Sequence, residues 1–142
     1  MDIVAMGEPL LEFSEITDSE GRKVYLPGFG GDTSNFIIAA ARQKAKTSYF
    51  THVGADAFGE QFLKLWQMEG VDISRVVQNQ NAHTGIYFIT YTEKGHQFTY
   101  MRKGSAASMV SAEDLPDDLI AGAKLFHVSG ISQAISETSC DA

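Results

Sequence analysis

The chain has 142 residues, of which 44% are hydrophobic and 20% charged, and its formal net charge at pH 7 is -7. This length and composition are typical of one globular core in a water-soluble protein. The acidic balance argues against nucleic acid or an anionic membrane as a partner, and no apolar run approaches the roughly 18 residues of a membrane-spanning helix. The single cysteine, Cys140, cannot form an internal disulfide, and no basic, apolar leader follows Met1. Both observations favour the cytoplasm.

The first half of the chain alternates short apolar runs with amphipathic segments. We predict strands at residues 3–6, 10–13, 24–26 and 48–53, and helices at about 35–44 and 57–69. The second helix is the clearer one, because Asp56 is a suitable N-cap and Gly70 a suitable stop. Its apolar stripe consists of Phe58, Phe62, Leu65 and Trp66. This order of strands and helices indicates a parallel sheet with right-handed crossovers.

The pattern changes between residues 85 and 102. Two β-rich runs, 85–92 and 97–102, are joined by Glu93-Lys94-Gly95-His96, which is typical of a hairpin. Because alternate residues of a strand share a face, Tyr100 and Arg102 are expected to project from the same side. A hairpin inserted in an α/β chain usually forms a flap or a small second sheet. The α/β order then resumes with a helix at 117–123, a strand at 125–129 and the start of a helix at 136–139.

The segment from Gly30 to Asn35 is the best candidate for a ligand-binding loop. Two adjacent glycines allow backbone conformations closed to other residues and leave room for a ligand. Thr33 or Ser34 could cap the following helix, and the short polar side chains suit a polyhydroxylated or anionic small molecule. Ordinary helix capping is the alternative interpretation. The segment lacks the lysine of a P-loop, and Thr33 stands where a dinucleotide fingerprint has its third glycine, so neither nucleotide motif is present.

Several spaced motifs resemble one known family. Three spaced segments are similar to the ribokinase-like carbohydrate kinases. They are Gly30-Gly31 followed by Asn35, residues 53–59, and Glu69-Gly70-Val71-Asp72. Within that family, five further segments resemble the members that phosphorylate 2-keto-3-deoxygluconate: Gly7-Glu8-Pro9, Gly30-Gly31-Asp32-Thr33, Thr84-Gly85-Ile86-Tyr87, Tyr100-Met101-Arg102-Lys103-Gly104-Ser105-Ala106 and Val128-Ser129-Gly130-Ile131-Ser132. The motifs occur in the family's order and cover nearly all of the chain.

The resemblance implies an α/β fold, namely a Rossmann-like αβα sandwich with a small β-sheet lid. Residues 1–142 would be the N-terminal portion of this kinase domain, with lid strands at about residues 10–30 and 84–103. The reaction it implies is transfer of the γ-phosphate of ATP to a sugar hydroxyl with Mg²⁺, which needs a base and an anion hole. In the family these lie in the C-terminal half, in a Gly-Ala-Gly-Asp segment that this sequence lacks. We therefore expect the catalytic residues beyond Ala142, assign no metal ligand, and predict that the chain alone is inactive.

The resemblance also assigns the substrate-binding residues, which are expected in the glycine loop and on the lid side of the pocket. They are Gly31, Asp32, Thr33, Ser34, Asn35, Tyr87, Tyr100, Met101 and Arg102. Arg102 is the most informative, because its planar guanidinium matches a carboxylate, which 2-keto-3-deoxygluconate has and neutral sugars lack. The family places this arginine near the phosphate path as well, so it is also a candidate ATP-binding residue. The alternative is a solvated arginine at the end of a hairpin.

The sequence leaves two other functions open. Members of the same family act on fructose, ribose or a nucleoside, and a requirement for a substrate carboxylate separates them from a sugar-acid kinase. The non-catalytic alternative is a truncated sugar-binding or dimerising module. The expected partners are a small sugar acid and ATP, and a homo-oligomer formed through the lid is left open.

Overall fold

The structure, a computed structural model, describes residues 1–142. Its strands are β1 (Ile3–Met6), β2 (Leu10–Thr17), β3 (Lys23–Gly30), β4 (Thr47–Phe50), β5 (His52–Gly54), β6 (Val77–Asn79), β7 (Ile86–Thr92), β8 (Gly95–Met101) and β9 (Leu125–His127). Its α-helices are α1 (Asp32–Arg42), α2 (Ala57–Met68), α3 (Asp117–Ala121), α4 (Gly130–Gln133) and α5 (Glu137–Asp141). Two short 3-10 helices, Ala106–Met109 and Ala112–Asp114, lie between β8 and α3.

The strand β1 is the centre of a parallel sheet in the order β4-β1-β9. Val4 and Ala5 of β1 are completely buried, as expected for a strand covered on both faces. Helix α1 packs against β1 and β4. The predicted parallel α/β arrangement is therefore confirmed. Its strand β9 ends at His127, two residues earlier than predicted, and the chain turns into α4 from Gly130.

The strand predicted at residues 48–53 is wrong in one respect, because it is two strands in two sheets. β4 pairs with β1, whereas β5 pairs in parallel with β6, a strand that the sequence pattern did not reveal. The break falls at Thr51, whose hydroxyl donates a 2.6 Å hydrogen bond to the carbonyl of Gly7. This bond fixes the chain where it leaves the first sheet, close to the carboxyl end of β1.

Helix α2 agrees closely with the sequence prediction. The carboxylate of Asp56 accepts hydrogen bonds from the backbone N–H groups of Phe58 and Gly59, and Gly70 follows the helix with a φ of 76°. Phe62 and Trp66 are completely buried in the main hydrophobic core, which also contains Tyr49. The stripe predicted for this helix is thus the face that covers the sheet.

A second sheet has the order β3-β2-β7-β8. The hairpin predicted from residues 85–102 is present as β7 and β8, which pair antiparallel from Ile86 with Met101 to Thr92 with Gly95. β2 joins the two hairpins, antiparallel to β3 and parallel to β7. Only Gly7, Glu8 and Pro9 separate β1 from β2, so the two sheets meet at the carboxyl end of the central strand.

Helix α1 begins at Asp32 rather than near Asn35. Its N-cap is Gly31, and no side chain caps it, so the expectation that Thr33 or Ser34 caps the helix is wrong. Near the C-terminus, Ser136 caps α5 by accepting a hydrogen bond from the N–H of Ser139, which agrees with the helix start predicted there. No helix combines the length and the apolar composition that crossing a bilayer requires.

Candidate functional site

A cavity of about 150 Å³ lies where the two sheets meet. Several of the predicted substrate-binding residues line it, namely Gly31, Asp32, Tyr87, Tyr100 and Arg102. Glu8, Leu10, Phe98 and Ile131 complete its wall and were not among the predicted residues. Residues from the glycine loop, from the hairpin and from the end of β1 therefore meet here, although they are far apart in the sequence.

The glycine at position 31 is required by close packing as well as by conformation. Its φ is 99°, which L side chains rarely adopt, and an added Cβ would lie 2.5 Å from the carbonyl oxygen of Glu8. The backbone of α1 therefore approaches the Glu8 segment closely. As a result Asp32, in the first turn of the helix, lies at the cavity.

Thr33 and Ser34, predicted as substrate-binding residues, are placed in the core instead. Both are essentially unexposed. The Thr33 hydroxyl lies 2.9 Å from the Tyr49 hydroxyl, and Ser34 accepts a 3.0 Å hydrogen bond from the indole N–H of Trp66. Because α1 starts earlier than predicted, these two side chains face the sheet and α2 rather than the loop.

Asn35 and Met101 also lie outside the cavity. Asn35 is exposed and faces a separate depression of about 500 Å³ beside α1, lined in part by Phe29 and Arg42. Met101 is 56% exposed and pairs with Ile86, so strand alternation directs it away from the face that carries Tyr100. The larger depression contains no buried polar atom without a partner, whereas the smaller cavity does. The smaller cavity is therefore the candidate site.

Two tyrosines form the aromatic wall of this cavity. The rings of Tyr87 and Tyr100 stack with centroids 5.6 Å apart and an interplanar angle of 24°. The Tyr87 hydroxyl donates a hydrogen bond to the carboxylate of Glu12. Burial, followed by this contact with Glu12, raises the pKa of Tyr87 above its usual value. Tyr87 therefore stays protonated, and its hydroxyl oxygen retains acceptor capacity for a ligand hydroxyl.

Arg102 and Glu8 form an ion pair at the edge of the cavity. The side chain of Glu8 is 2% exposed and that of Arg102 is 25% exposed. Burial raises the pKa of the Glu8 carboxyl, and the charge of Arg102 opposes that increase. Arg102 follows the last residue of β8, so the expectation that it lies on the same strand as Tyr100 is wrong. Its guanidinium is nonetheless close to the Tyr100 ring, 5.5 Å from the centroid.

The ion pair leaves polar atoms without hydrogen bonds. Nε of Arg102 is buried and has no acceptor within the chain, whereas Nη2 contacts Oε2 of Glu8 in the ion pair without hydrogen-bond geometry. Buried groups in folded proteins are normally satisfied, so an unpaired donor at a cavity marks a place where a ligand acceptor fits. An oxygen of a ligand carboxylate or phosphate could accept from Nε.

Glu8 is the charged residue of this site that the sequence prediction missed. In the sequence, Gly7-Glu8-Pro9 indicates only the family resemblance. A glutamate placed directly after a buried central strand has little access to water, which is a signal that it needs a specific partner. That partner, Arg102, could not be identified from sequence spacing alone.

Among the residues that line the cavity, Arg102 is the positively charged one that could hold the anionic group of a cofactor. Its Nε, which has no acceptor in the chain, suits a phosphate oxygen as well as a carboxylate oxygen. No group of three or more His, Cys, Asp or Glu side chains is arranged to hold a metal ion. We therefore assign no step that involves Mg²⁺ to residues of this chain.

This architecture is that of the ribokinase-like carbohydrate kinases. In the chain, a parallel α/β sheet meets a smaller sheet, and a polar cavity with an aromatic wall lies at their junction. The family model described as pfkB family carbohydrate kinase matches residues 2–142. The chain belongs to the pfkB family of carbohydrate kinases.

The relatives carry two different substrate names. The chain is 35% identical to a 2-dehydro-3-deoxygluconokinase of Thermoproteus tenax, over 98% of the chain and 44% of that protein. It is 30% identical to a probable fructokinase-5 of Arabidopsis thaliana, over 92% of the chain and 41% of that protein. The chain thus spans less than half the length of these curated relatives.

Solved structures agree with the fold. The crystal structure of a PfkB protein from Polaromonas sp. JS666 superposes with a TM-score of 0.91 at 27% identity, over 99% of the chain and 49% of that structure. An uncharacterized sugar kinase from Pyrococcus horikoshii in complex with ATP superposes with a TM-score of 0.77 at 25% identity, over 87% of the chain and 41% of that structure. The predicted ribokinase-like fold class is therefore confirmed.

Proposed function

We propose that the protein containing this chain is a sugar kinase that transfers the γ-phosphate of ATP to a hydroxyl of 2-keto-3-deoxygluconate. The observation that carries the proposal is the buried Nε of Arg102, which has no acceptor in the chain, beside the two stacked tyrosines. A sugar acid offers a carboxylate oxygen for this Nε and hydroxyls for the polar rim. The naming of the Thermoproteus tenax relative points to the same substrate.

Within this proposal, the residues of the chain bind and orient the sugar acid. Arg102 donates from Nε to the substrate carboxylate, Tyr87 and Tyr100 provide a flat wall, and Asp32 accepts hydrogen bonds from sugar hydroxyls. The sheet formed by β3, β2, β7 and β8 acts as the lid that covers the substrate and excludes water. ATP supplies the phosphoryl group, and Arg102 is also the group of this chain that suits a phosphate oxygen. The base and the anion hole are expected beyond Ala142.

A kinase for a neutral sugar such as fructose is the second candidate, favoured by the resemblance to the Arabidopsis thaliana fructokinase. Arg102 separates the two candidates. A neutral sugar has no charged group to pair with a guanidinium, and a buried Nε that is left without an acceptor costs about 1–3 kcal/mol. The sugar acid is therefore the better match to the cavity.

The experiment is a coupled assay of ADP formation by the complete gene product with ATP and magnesium, run across matched sugars and sugar acids. We expect kcat/KM to be highest for 2-keto-3-deoxygluconate. Equal turnover of fructose or ribose would overturn the sugar-acid assignment. If the gene ends at Ala142 and its product phosphorylates none of these compounds, the non-catalytic module is the correct alternative.

The exposed side of the lid sheet suggests where two copies could meet. Leu26 on β3 and Tyr91 on β7 share one face of this sheet, and each is more than half exposed. Exposed apolar groups on one small sheet are a common feature of protein interfaces. We expect a homo-oligomer formed through the lid and, because ATP is the phosphate donor, a cytoplasmic protein. Light scattering of the wild type and of Leu26→Lys tests the oligomer, which the variant should weaken.

A further inference from the structure

Glu8 is held in place by contacts from three separate segments. Its backbone N–H donates a 3.1 Å hydrogen bond to the Ser132 hydroxyl of α4, and its Oε1 lies 3.5 Å from the Ser105 hydroxyl. Gly7, before it, has no space for a side chain, since a Cβ there would lie 2.3 Å from Thr33 Oγ1 and 2.4 Å from Ser132 Oγ. The Glu8 carboxylate is thus a fixed group at the end of the central strand.

Arg102, in contrast, has few constraints of its own. It stands after the end of β8 and two residues before Gly104, which has a φ of 73°. Apart from the Tyr100 ring, its one charged contact is Glu8, the only residue with which it forms an ion pair. A long side chain with many rotamers needs such a contact if its planar edge is to face a substrate reproducibly.

We propose that Glu8 is a positioning residue for Arg102, which engages Nη2 and so holds the guanidinium with its free Nε toward a substrate carboxylate. The inference rests on the proposed function and adds a residue to it. Glu8 does not touch the substrate in this arrangement. It determines selectivity for the acid by fixing Arg102, the group that contacts the substrate.

A different role would have the opposite effect on binding. If Glu8 only neutralised Arg102, its charge would compete with the substrate carboxylate, and its removal would tighten binding of the acid. If Glu8 only supported the fold, its removal would weaken acid and neutral ligands alike. Positioning predicts a third pattern, in which acid binding is weakened and the loss depends on Arg102.

The test is a double-mutant cycle in the complete gene product. Calorimetric titration with 2-keto-3-deoxygluconate, without nucleotide, measures the Kd of the wild type, Glu8→Gln, Arg102→Ala and the double variant. We expect Glu8→Gln to raise Kd about tenfold, equivalent to about 1.4 kcal/mol, and to cause no further loss when Arg102 is already alanine. Glu8→Asp, which keeps the charge but shortens the side chain, should also raise Kd.

Glu15→Gln is the matched control, because Glu15 forms an ion pair with Lys23 on the hairpin of β2 and β3, outside the cavity. It should leave Kd unchanged. Thermal unfolding of each variant checks that it is folded. If Glu8→Gln is not folded, Glu8→Asp replaces it in the cycle. Tighter binding by Glu8→Gln, or an equal loss in the Arg102→Ala background, overturns the role of Glu8. An Arg102→Ala variant that binds the acid normally overturns instead the carboxylate contact of the proposed function, and the role of Glu8 with it.

Discussion

The hydroxyl of Tyr87 lies directly against Gly30, where an added Cβ would come within 2.7 Å of the phenol oxygen. Both residues face β2, in which Leu10 pairs with Gly30 and Glu12 pairs with Tyr87. The missing side chain at Gly30 therefore leaves the space in which Tyr87 reaches the Glu12 carboxylate. Gly30 leaves space for the Tyr87 side chain, whereas Gly31 allows the turn into α1.

Gly30→Ala should displace the Tyr87 ring from the cavity wall. We expect kcat/KM for the sugar acid to fall about tenfold, because misplacement of a substrate-positioning group by a fraction of an ångström is costly. The control is Gly28→Ala on the same strand, where the nearest atom to an added Cβ is Glu12 Oε1 at 3.6 Å, an ordinary contact. Coupled assays of the two variants in the complete gene product should differ. Equal effects would mean that Tyr87 does not position the substrate.

Local patterns predicted the hairpin and α2, because their signals lie in consecutive residues. Of the glycine loop, Gly31 and Asp32 line the cavity, whereas Thr33 and Ser34 are buried in the core. Thr33 and Ser34 would face a ligand only if the helix started after them, but α1 starts at Asp32. The position of this first turn depends on the packing of α1 against β1 and β4, which the local sequence does not show. The pair of Glu8 and Arg102 joins residues that are far apart in sequence, so only the tertiary structure could reveal it.

Ser34→Ala should lower the unfolding free energy of the protein and leave ligand binding at the site nearly unchanged. The substitution leaves the buried indole N–H of Trp66 without its acceptor, which costs about 1–3 kcal/mol of unfolding free energy. Urea denaturation of the complete gene product measures this loss, and the Kd for the sugar acid should remain within about twofold. Ser74→Ala, at a serine whose hydroxyl bonds to exposed Asp72, is the control and should cost much less. A large loss of affinity with unchanged stability would instead make Ser34 a ligand-binding residue.

The cap of α2 should make stability depend on pH in the acidic range. Burial by itself raises the pKa of Asp56, but the N–H groups of Gly59, Thr84 and Phe58 and the Thr84 hydroxyl together lower it below the ordinary 3.8. A carboxyl with a depressed pKa stabilises the fold fully above its unfolded value and loses that contribution as the pH falls through the folded value. Asp56→Asn removes the negative charge at the helix N-terminus and should therefore cost about 0.3–1 kcal/mol near neutral pH.

The difference in unfolding free energy between Asp56→Asn and the wild type should shrink as the pH falls below 3.8. Urea denaturation at a series of pH values measures it. Asp72→Asn is a suitable comparison, because Asp72 also accepts bonds from a following backbone N–H and hydroxyl, but at an exposed turn. A difference for Asp56→Asn that is constant from neutral to acidic pH would show that the charge of the cap is unimportant.

The 142-residue chain by itself should transfer no phosphate. It carries no cluster of ligands for a metal ion, and the proposed reaction also needs a positioned base and an anion hole. Purified chain, incubated with ATP, magnesium and 2-keto-3-deoxygluconate, should release no ADP above the rate of a boiled sample. Turnover that depends on the sugar would contradict the assignment of the catalytic groups to residues beyond Ala142.

The last prediction concerns Arg102 in the complete gene product. Arg102→Ala removes a charge-assisted contact, which contributes on the order of 1.5–3 kcal/mol. We therefore expect kcat/KM for 2-keto-3-deoxygluconate to fall at least about tenfold. Arg102→Lys keeps the charge but loses the planar guanidinium and its Nε donor, so it should also be impaired. Lys103→Ala, which removes the neighbouring exposed charge, is the control.

Comparison of the acid with its neutral analogue separates the two roles considered for Arg102. If the residue binds the substrate carboxylate, both variants lose activity with the acid and little with the neutral sugar. If it acts on the transferring phosphate, the loss is the same for both substrates, because both receive the same group. If neither variant loses activity, the guanidinium is a solvated group at the end of the hairpin, and its Nε is satisfied by water rather than by substrate.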